Sequence, residues 1–72
     1  MEKFGEKLQR LRKHRGITLR EIAPMLNIQS FSYVSEIENG NKKPSLEFVL
    51  KIANLFDVSL DQLLRDDLEL DL

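Results

Sequence analysis

The sequence predicts an all-α fold, a compact bundle of five short helices, and three observations carry that prediction. Apolar residues recur at helical spacing in successive segments, each segment is bracketed by start and stop signals, and nothing before residue 66 alternates at the period of a strand. With 72 residues, 42% hydrophobic and 32% charged, the chain holds one domain with room for one small core. A core of that size stabilises weakly, so efficient helix packing or self-association has to supply the rest.

Phe4, Leu8 and Leu11 recur at i, i+4 and i+7, which predicts an amphipathic helix from about Lys3 to Arg15, stopped by Gly16. Thr18 with Glu21 is a capping box, and Leu19, Ile22 and Leu26 are the apolar stripe of a short second helix. Pro24 inside it lacks a backbone donor and crowds the carbonyl of Arg20, so a kink or a tight last turn is expected, with Asn27 as the stop. Ser30 is placed to cap a third helix that carries Val34 and Ile37 and ends at Asn39-Gly40. Most of that helix is polar, so it must lie exposed or meet a polar partner. Ser45 caps a fourth helix in which Leu46, Val49, Leu50, Ile52, Ala53 and Phe56 cover a wide arc, the pattern of a central core helix. Ser59 with Gln62 opens a fifth helix through Leu64. Leu68, Leu70 and Leu72 alternate with Glu69 and Asp71, which reads either as a short strand or as a frayed acidic end. No repeat or long linker divides the chain, and the expected organisation is a domain over 1–65 followed by an acidic tail over 66–72.

Composition removes several function classes. There is no cysteine, which excludes disulfides, thiolate metal sites and cysteine nucleophiles, and fits a reducing cytoplasm. The single histidine, His14, sits in a cationic stretch and reads as solvent-facing; without a phosphate loop or metal-ligand spacing, no enzyme and no cofactor is expected. The longest apolar run, Phe48 to Phe56, is broken by Lys51 and Asn54 and falls far short of the roughly 20 residues that cross a bilayer. The start, Met1-Glu2-Lys3-Phe4, lacks the apolar centre of a signal peptide, so neither export nor a membrane partner is expected. The net charge of −1 conceals an asymmetry: residues 1–43 carry nine basic and five acidic side chains, and residues 44–72 carry two and seven. Two readings stand, a basic half that attracts a polyanion and a set of solvated helix faces.

Helices two and three, joined by a short turn, with the third polar on its outer face, have the layout of a helix-turn-helix, in which the second helix enters the DNA major groove. The residues resemble the Cro and phage-repressor type helix-turn-helix family over about positions 4 to 65: Gly16-Ile17-Thr18, Glu21-Ile22-Ala23, Tyr33 through Gly40, Lys43-Pro44-Ser45-Leu46, Leu50-Lys51-Ile52-Ala53 and Val58 through Leu64. The most specific parts are Ile37-Glu38-Asn39-Gly40, Pro44-Ser45-Leu46 and Val58-Ser59-Leu60-Asp61. The resemblance implies a lambda-repressor-like DNA-binding domain that binds double-stranded DNA as a transcriptional regulator. It places base-edge readers at Gln29, Phe31, Ser32 and Glu36, and DNA-backbone contacts at Thr18, Tyr33, Ser35, Asn39, Lys42, Lys43 and Ser45. Serine can pair with several base edges, phenylalanine can pack on a thymine methyl and glutamate can accept from a cytosine amino group.

Each assignment has a plainer counterpart. Phe31 reads equally as a core residue, Glu36 as a solvent-facing carboxylate repelled by phosphate, Thr18 and Ser45 as ordinary caps, and Lys42 and Lys43 as solvated loop lysines. The resemblance also implies a structural ion pair between Arg12 and Glu38. Three features depart from the family pattern: four residues rather than three separate Ile28 from Tyr33, Leu19 stands where a glutamine is common, and Pro24 is unusual in helix two. Homodimerisation on a two-fold operator is expected, because one copy brings few cations to DNA. The interface is expected to use Leu60, Leu63, Leu64, Leu68, Leu70 and Leu72. A rival reading keeps the fold but makes it a protein-interaction module, of antitoxin or anti-regulator type, with weak or no DNA binding. No small-molecule effector is evident in either.

Overall fold

Local caps start four of the five helices. In the computed structural model, which describes residues 1–72, these are α1 (Phe4–His14), α2 (Leu19–Met25), α3 (Phe31–Glu38), α4 (Leu46–Phe56) and α5 (Leu60–Leu64). The Thr18 hydroxyl accepts from the Glu21 amide at 3.1 Å while the Glu21 carboxylate accepts from the Thr18 amide at 2.9 Å, a closed capping box. Ser59 and Gln62 repeat it at α5, and Ser30 and Ser45 accept from the amides of Ser32 and Phe48. α1 differs, because Lys3 offers no side-chain cap. The carboxylate of Asp66, more than sixty residues away, accepts from the amides of Glu2 and Lys3 at 3.1 and 3.0 Å.

The helix ends are closed by left-handed residues. Gly16, Asn27 and Gly40 have φ of 67°, 56° and 78°. The amides that follow, of Ile17, Ile28 and Asn41, reach back to the carbonyls of Arg12, Ala23 and Glu36 at 3.0, 2.9 and 2.8 Å. Asp57 ends α4 in the same conformation, φ 53°, without the glycine that would mark it in a sequence. Pro24 falls in the final turn of α2, where the Leu26 amide is shared between the carbonyls of Ile22 and Ala23 at 3.0 and 3.2 Å and the Asn27 amide bonds three residues back to Pro24, the tight last turn of the two outcomes expected.

One core takes Phe4, Leu8 and Leu11 from α1, Ile22 and Leu26 from α2 and its end, Val34 and Ile37 from α3, Phe48, Val49, Ile52 and Phe56 from α4, Leu63 from α5, and Leu70. α1 crosses α3 at a point where a Cβ on Gly5 would collide with the carbonyl oxygens of Ile37 and Glu38, so the two backbones touch there. Lys7, 3% exposed, donates all three ammonium hydrogens to the carbonyls of Gln62, Arg65 and Leu68 at 2.6, 2.7 and 2.8 Å. Arg15 donates to the carbonyls of Leu55 and Phe56, the last of α4.

Several expectations change. Leu46 and Leu50 lie outside the core at 68% and 43% exposure, because the buried stripe of α4 runs through Phe48, Val49, Ile52 and Phe56. Leu63 and Leu70 are buried within the chain, so neither offers surface to a second copy. The tail is neither strand nor frayed end: Lys7 gathers the carbonyls around it, Leu70 inserts into the core, and residue 65 is not a packing boundary. Of the six leucines, Leu60, Leu64, Leu68 and Leu72 are partly or fully exposed.

Gly5→Ala is expected to force α1 from α3 and cost about 1–3 kcal/mol, read as a lower urea midpoint at unchanged slope. The Asp66 carboxyl is held below its ordinary pKa, first by the Lys3 amide and then by the α-amino group and the Glu2 amide. A depressed carboxyl stabilises the fold above its unfolded pKa of about 4 and loses that contribution as pH falls through the folded value. Asp66→Asn is therefore expected to melt below the wild type at neutral pH and to converge with it in acid, checked by melting curves from about pH 7 to about pH 2.

Candidate nucleic-acid interface

The α2–α3 unit is built by short-range rules and then oriented by contacts from α1. Val34 and Ile37 face the core, which turns Ser32, Ser35, Glu36 and Asn39 to the outer face of α3. The four residues between Ile28 and Tyr33 divide evenly: Gln29 and Ser30 remain in the turn, and Phe31 and Ser32 enter the first turn of α3. The longer connection thus puts an aromatic at the start of this helix.

Phe31 is 37% exposed and outside the core; its ring lies under the Arg20 guanidinium, whose Cζ is 5.0 Å from the ring centroid. Gln29 and Ser32 are exposed, and Ser35 is half-buried. Glu36, the awkward acidic residue of this face, is met by Lys42, Nζ to Oε2 3.4 Å. The same ammonium lies 5.7 Å from the centroid of the Tyr33 ring, which packs edge-on against Phe48 at 5.3 Å. Lys42 therefore joins the end of α3 to its own outer face. Asn39, Lys43 and Ser45 are exposed, Ser45 with its hydroxyl accepting from Phe48. The hydroxyl and amide of Thr18 are taken up by Glu21, whose carboxyl is held below its ordinary pKa chiefly by the Thr18 amide. A phosphate approaching Thr18 would meet that anion.

Arg20 was not among the residues the sequence pointed to. It lies eleven positions from Phe31 on another helix, and no local periodicity links them. Arg12 and Glu38 do meet: Nε and Nη2 donate to the two carboxylate oxygens at 2.8 and 3.0 Å, and Nη1 donates to the Ile17 carbonyl at 2.9 Å. The side chains are 9% and 2% exposed. The carboxylate's hydrogen bond raises the guanidinium pKa further above its ordinary value. This fork ties α1, the turn into α2 and the C-terminal end of α3 together. No group of three histidine, cysteine or acidic side chains is arranged to hold a metal ion, and no helix is long and apolar enough to cross a membrane.

Five helices around one core, with the second and third joined by a tight turn and the third presenting a polar outer face, define a helix-turn-helix domain of the Cro and phage-repressor type. The chain belongs to the Helix-turn-helix family, whose profile matches residues 8–63. It is 37% identical over 63 residues to the HTH-type transcriptional regulator DdrOP3 of Deinococcus deserti, covering 88% of this chain and 48% of that protein. It is 36% identical over 71 residues to the HTH-type transcriptional regulator SinR of Bacillus licheniformis, covering 94% and 63%. It is 36% identical over 64 residues to the HTH-type transcriptional regulator ImmR of Bacillus subtilis, covering 89% and 50%. The chain spans about half to two-thirds of the length of these relatives.

Arg12→Met leaves the Glu38 carboxylate buried without its partner and is expected to cost about 3 kcal/mol or more, a large share of the stability of so small a domain. The paired variant Arg12→Met/Glu38→Leu is expected to recover much of the loss, since no charge is then stranded. Thermal melting of the two variants beside the wild type checks both outcomes.

Proposed function

We propose that this domain is a sequence-specific double-stranded DNA-binding transcriptional regulator, acting in the cytoplasm as a homodimeric repressor on a two-fold operator. The observation that carries the reading is the outer face of α3, where Ser32 and Asn39 are exposed, Ser35 and Glu36 are half-exposed, and Lys42 and Lys43 follow at its C-terminal end. Relatives named as transcriptional regulators support it. In this reading α3 enters the major groove, with Gln29, Phe31, Ser32 and Glu36 toward base edges. Tyr33, Ser35, Asn39, Lys42, Lys43 and the start of α4 at Ser45 lie along the backbone, and Thr18 contributes less because its amide already donates to the Glu21 carboxylate. Two copies meet through Leu60, Leu64, Leu68 and Leu72, of which Leu60 and Leu72 are 38% and 50% exposed, and set the recognition helices about 34 Å apart.

Selection of bound fragments from a random duplex pool tests this. The expected product is a two-fold sequence with half-sites one helical turn apart, bound less tightly as salt rises. Lys42→Ala/Lys43→Ala is expected to weaken all sequences alike and to flatten the salt slope by about two. Ser32→Ala and Glu36→Ala are expected instead to change the preferred base at one or two positions by about 1–3 kcal/mol. A pool that shows no enrichment, or binding indifferent to salt, overturns the reading.

A further inference from the structure

The chain has five arginines; three donate hydrogen bonds to oxygen acceptors and a fourth, Arg10, has a carboxylate at ion-pair distance. Arg10 lies 3.8 Å from Glu69, Arg12 grips Glu38, Arg15 closes the end of α4, and Arg65 is bonded to Asp67. Arg20 has no oxygen partner; its guanidinium rests over the ring of Phe31, Cζ 5.0 Å from the centroid, on an exposed residue of α2 and the first residue of α3. Arginine's planar head is weakly hydrated and sits readily on an aromatic face, while its N–H donors lie in its own plane. A ring at this place restrains a long side chain that would otherwise sample many rotamers, and uses none of its hydrogen-bond donors. The start of a recognition helix is where base edges are reached. The feature has the chemistry of a restrained fork whose donors face solvent rather than a protein acceptor.

We propose that Arg20 is a DNA-contacting residue and that Phe31 is the positioning residue that holds it ready. The inference rests on the DNA-binding reading above. The group it recognises is a pair of neighbouring acceptors, which DNA offers as the N7 and O6 edge of guanine or as two oxygens of a phosphate. Phe31 thereby acts through Arg20 in addition to any apolar contact of its own.

The test uses the full chain and the tightest duplex that the wild type selects from a random pool, with binding read by fluorescence anisotropy. Arg20→Ala is expected to lose about tenfold or more, and Arg20→Lys most of that, because a point charge cannot replace a fork. Phe31→Leu, which keeps the bulk but not the π face, is expected to weaken binding in the wild-type background and to add nothing in the Arg20→Ala background. All three single variants melt like the wild type, since both side chains lie at the surface. Renewed selection with Arg20→Ala separates the two sources: relaxation at one base pair assigns guanine, and a uniform loss with a salt slope shallower by about one assigns phosphate. In the free protein, the Arg20 δ protons are expected upfield of their positions in Phe31→Leu. Wild-type affinity in Arg20→Ala, or losses from Arg20 and Phe31 that multiply in the double variant, would overturn the proposal while leaving the DNA-binding reading intact. A wild type that enriches no duplex would overturn both.

Discussion

Arg12 is the point at which the α2–α3 unit is joined to α1. Its three donors run to both oxygens of Glu38 at the end of α3 and to the carbonyl of Ile17 just before α2. Because the guanidinium is planar and the carboxylate bidentate, the joint fixes direction as well as distance. Beside it, Gly5 lets the backbone of α1 rest on the carbonyls of Ile37 and Glu38. The C-terminal end of α3 is therefore held by an ion pair and a backbone contact, and its N-terminal end by the Ser30 cap, by Tyr33 packed on Phe48 and by the buried Val34. The helix is fixed along its inner side at both ends, while Phe31 and Ser32 of its first turn stay exposed.

Three other charged side chains finish helices that lack complete local signals. Asp66 supplies the amide acceptors missing at the start of α1, Arg15 covers the last carbonyls of α4, and Lys7 satisfies three carbonyls at and beyond the end of α5. Each places a charge of the sign that the helix dipole favours at that end. Each also spans forty residues or more of sequence, so the chain termini are drawn together over one small core. The acidic tail belongs to this arrangement: Asp66 is on α1, Leu70 is in the core, and Glu69 lies near Arg10.

The electrostatics of the candidate surface are local. The chain is slightly acidic overall, yet on the outer face of α3 the one carboxylate, Glu36, has Lys42 beside it, and Lys43 and Arg20 have no acidic partner. Glu21 remains a fixed anion at the start of α2, where it serves the capping box. Opposite signs are thus sorted by helix end within a few turns, and the net charge of the chain does not describe this face.

Much of the fold was legible in the residues themselves. Caps at Thr18, Ser30, Ser45 and Ser59, stops at Gly16, Asn27 and Gly40, and the stripe Phe4, Leu8, Leu11 are short-range features, decided by hydrogen bonds and periods that span a few residues. They determined five helices, their order and the polar third helix, and the family resemblance named Arg12 and Glu38 as partners. What lay beyond them was set by proximity that folding alone creates. Counting leucines did not tell that Leu63 and Leu70 turn inward while Leu46 and Leu50 stay outside, because a side chain's burial depends on the neighbour its helix meets. Lys7, Asp66 and Arg20 look like ordinary surface charges in a list of residues. Only the tertiary structure set Lys7 on carbonyls 55 to 61 positions away, Asp66 on the start of α1 and Arg20 over Phe31, since the work these groups do is defined by acceptors and rings that local sequence does not bring to them.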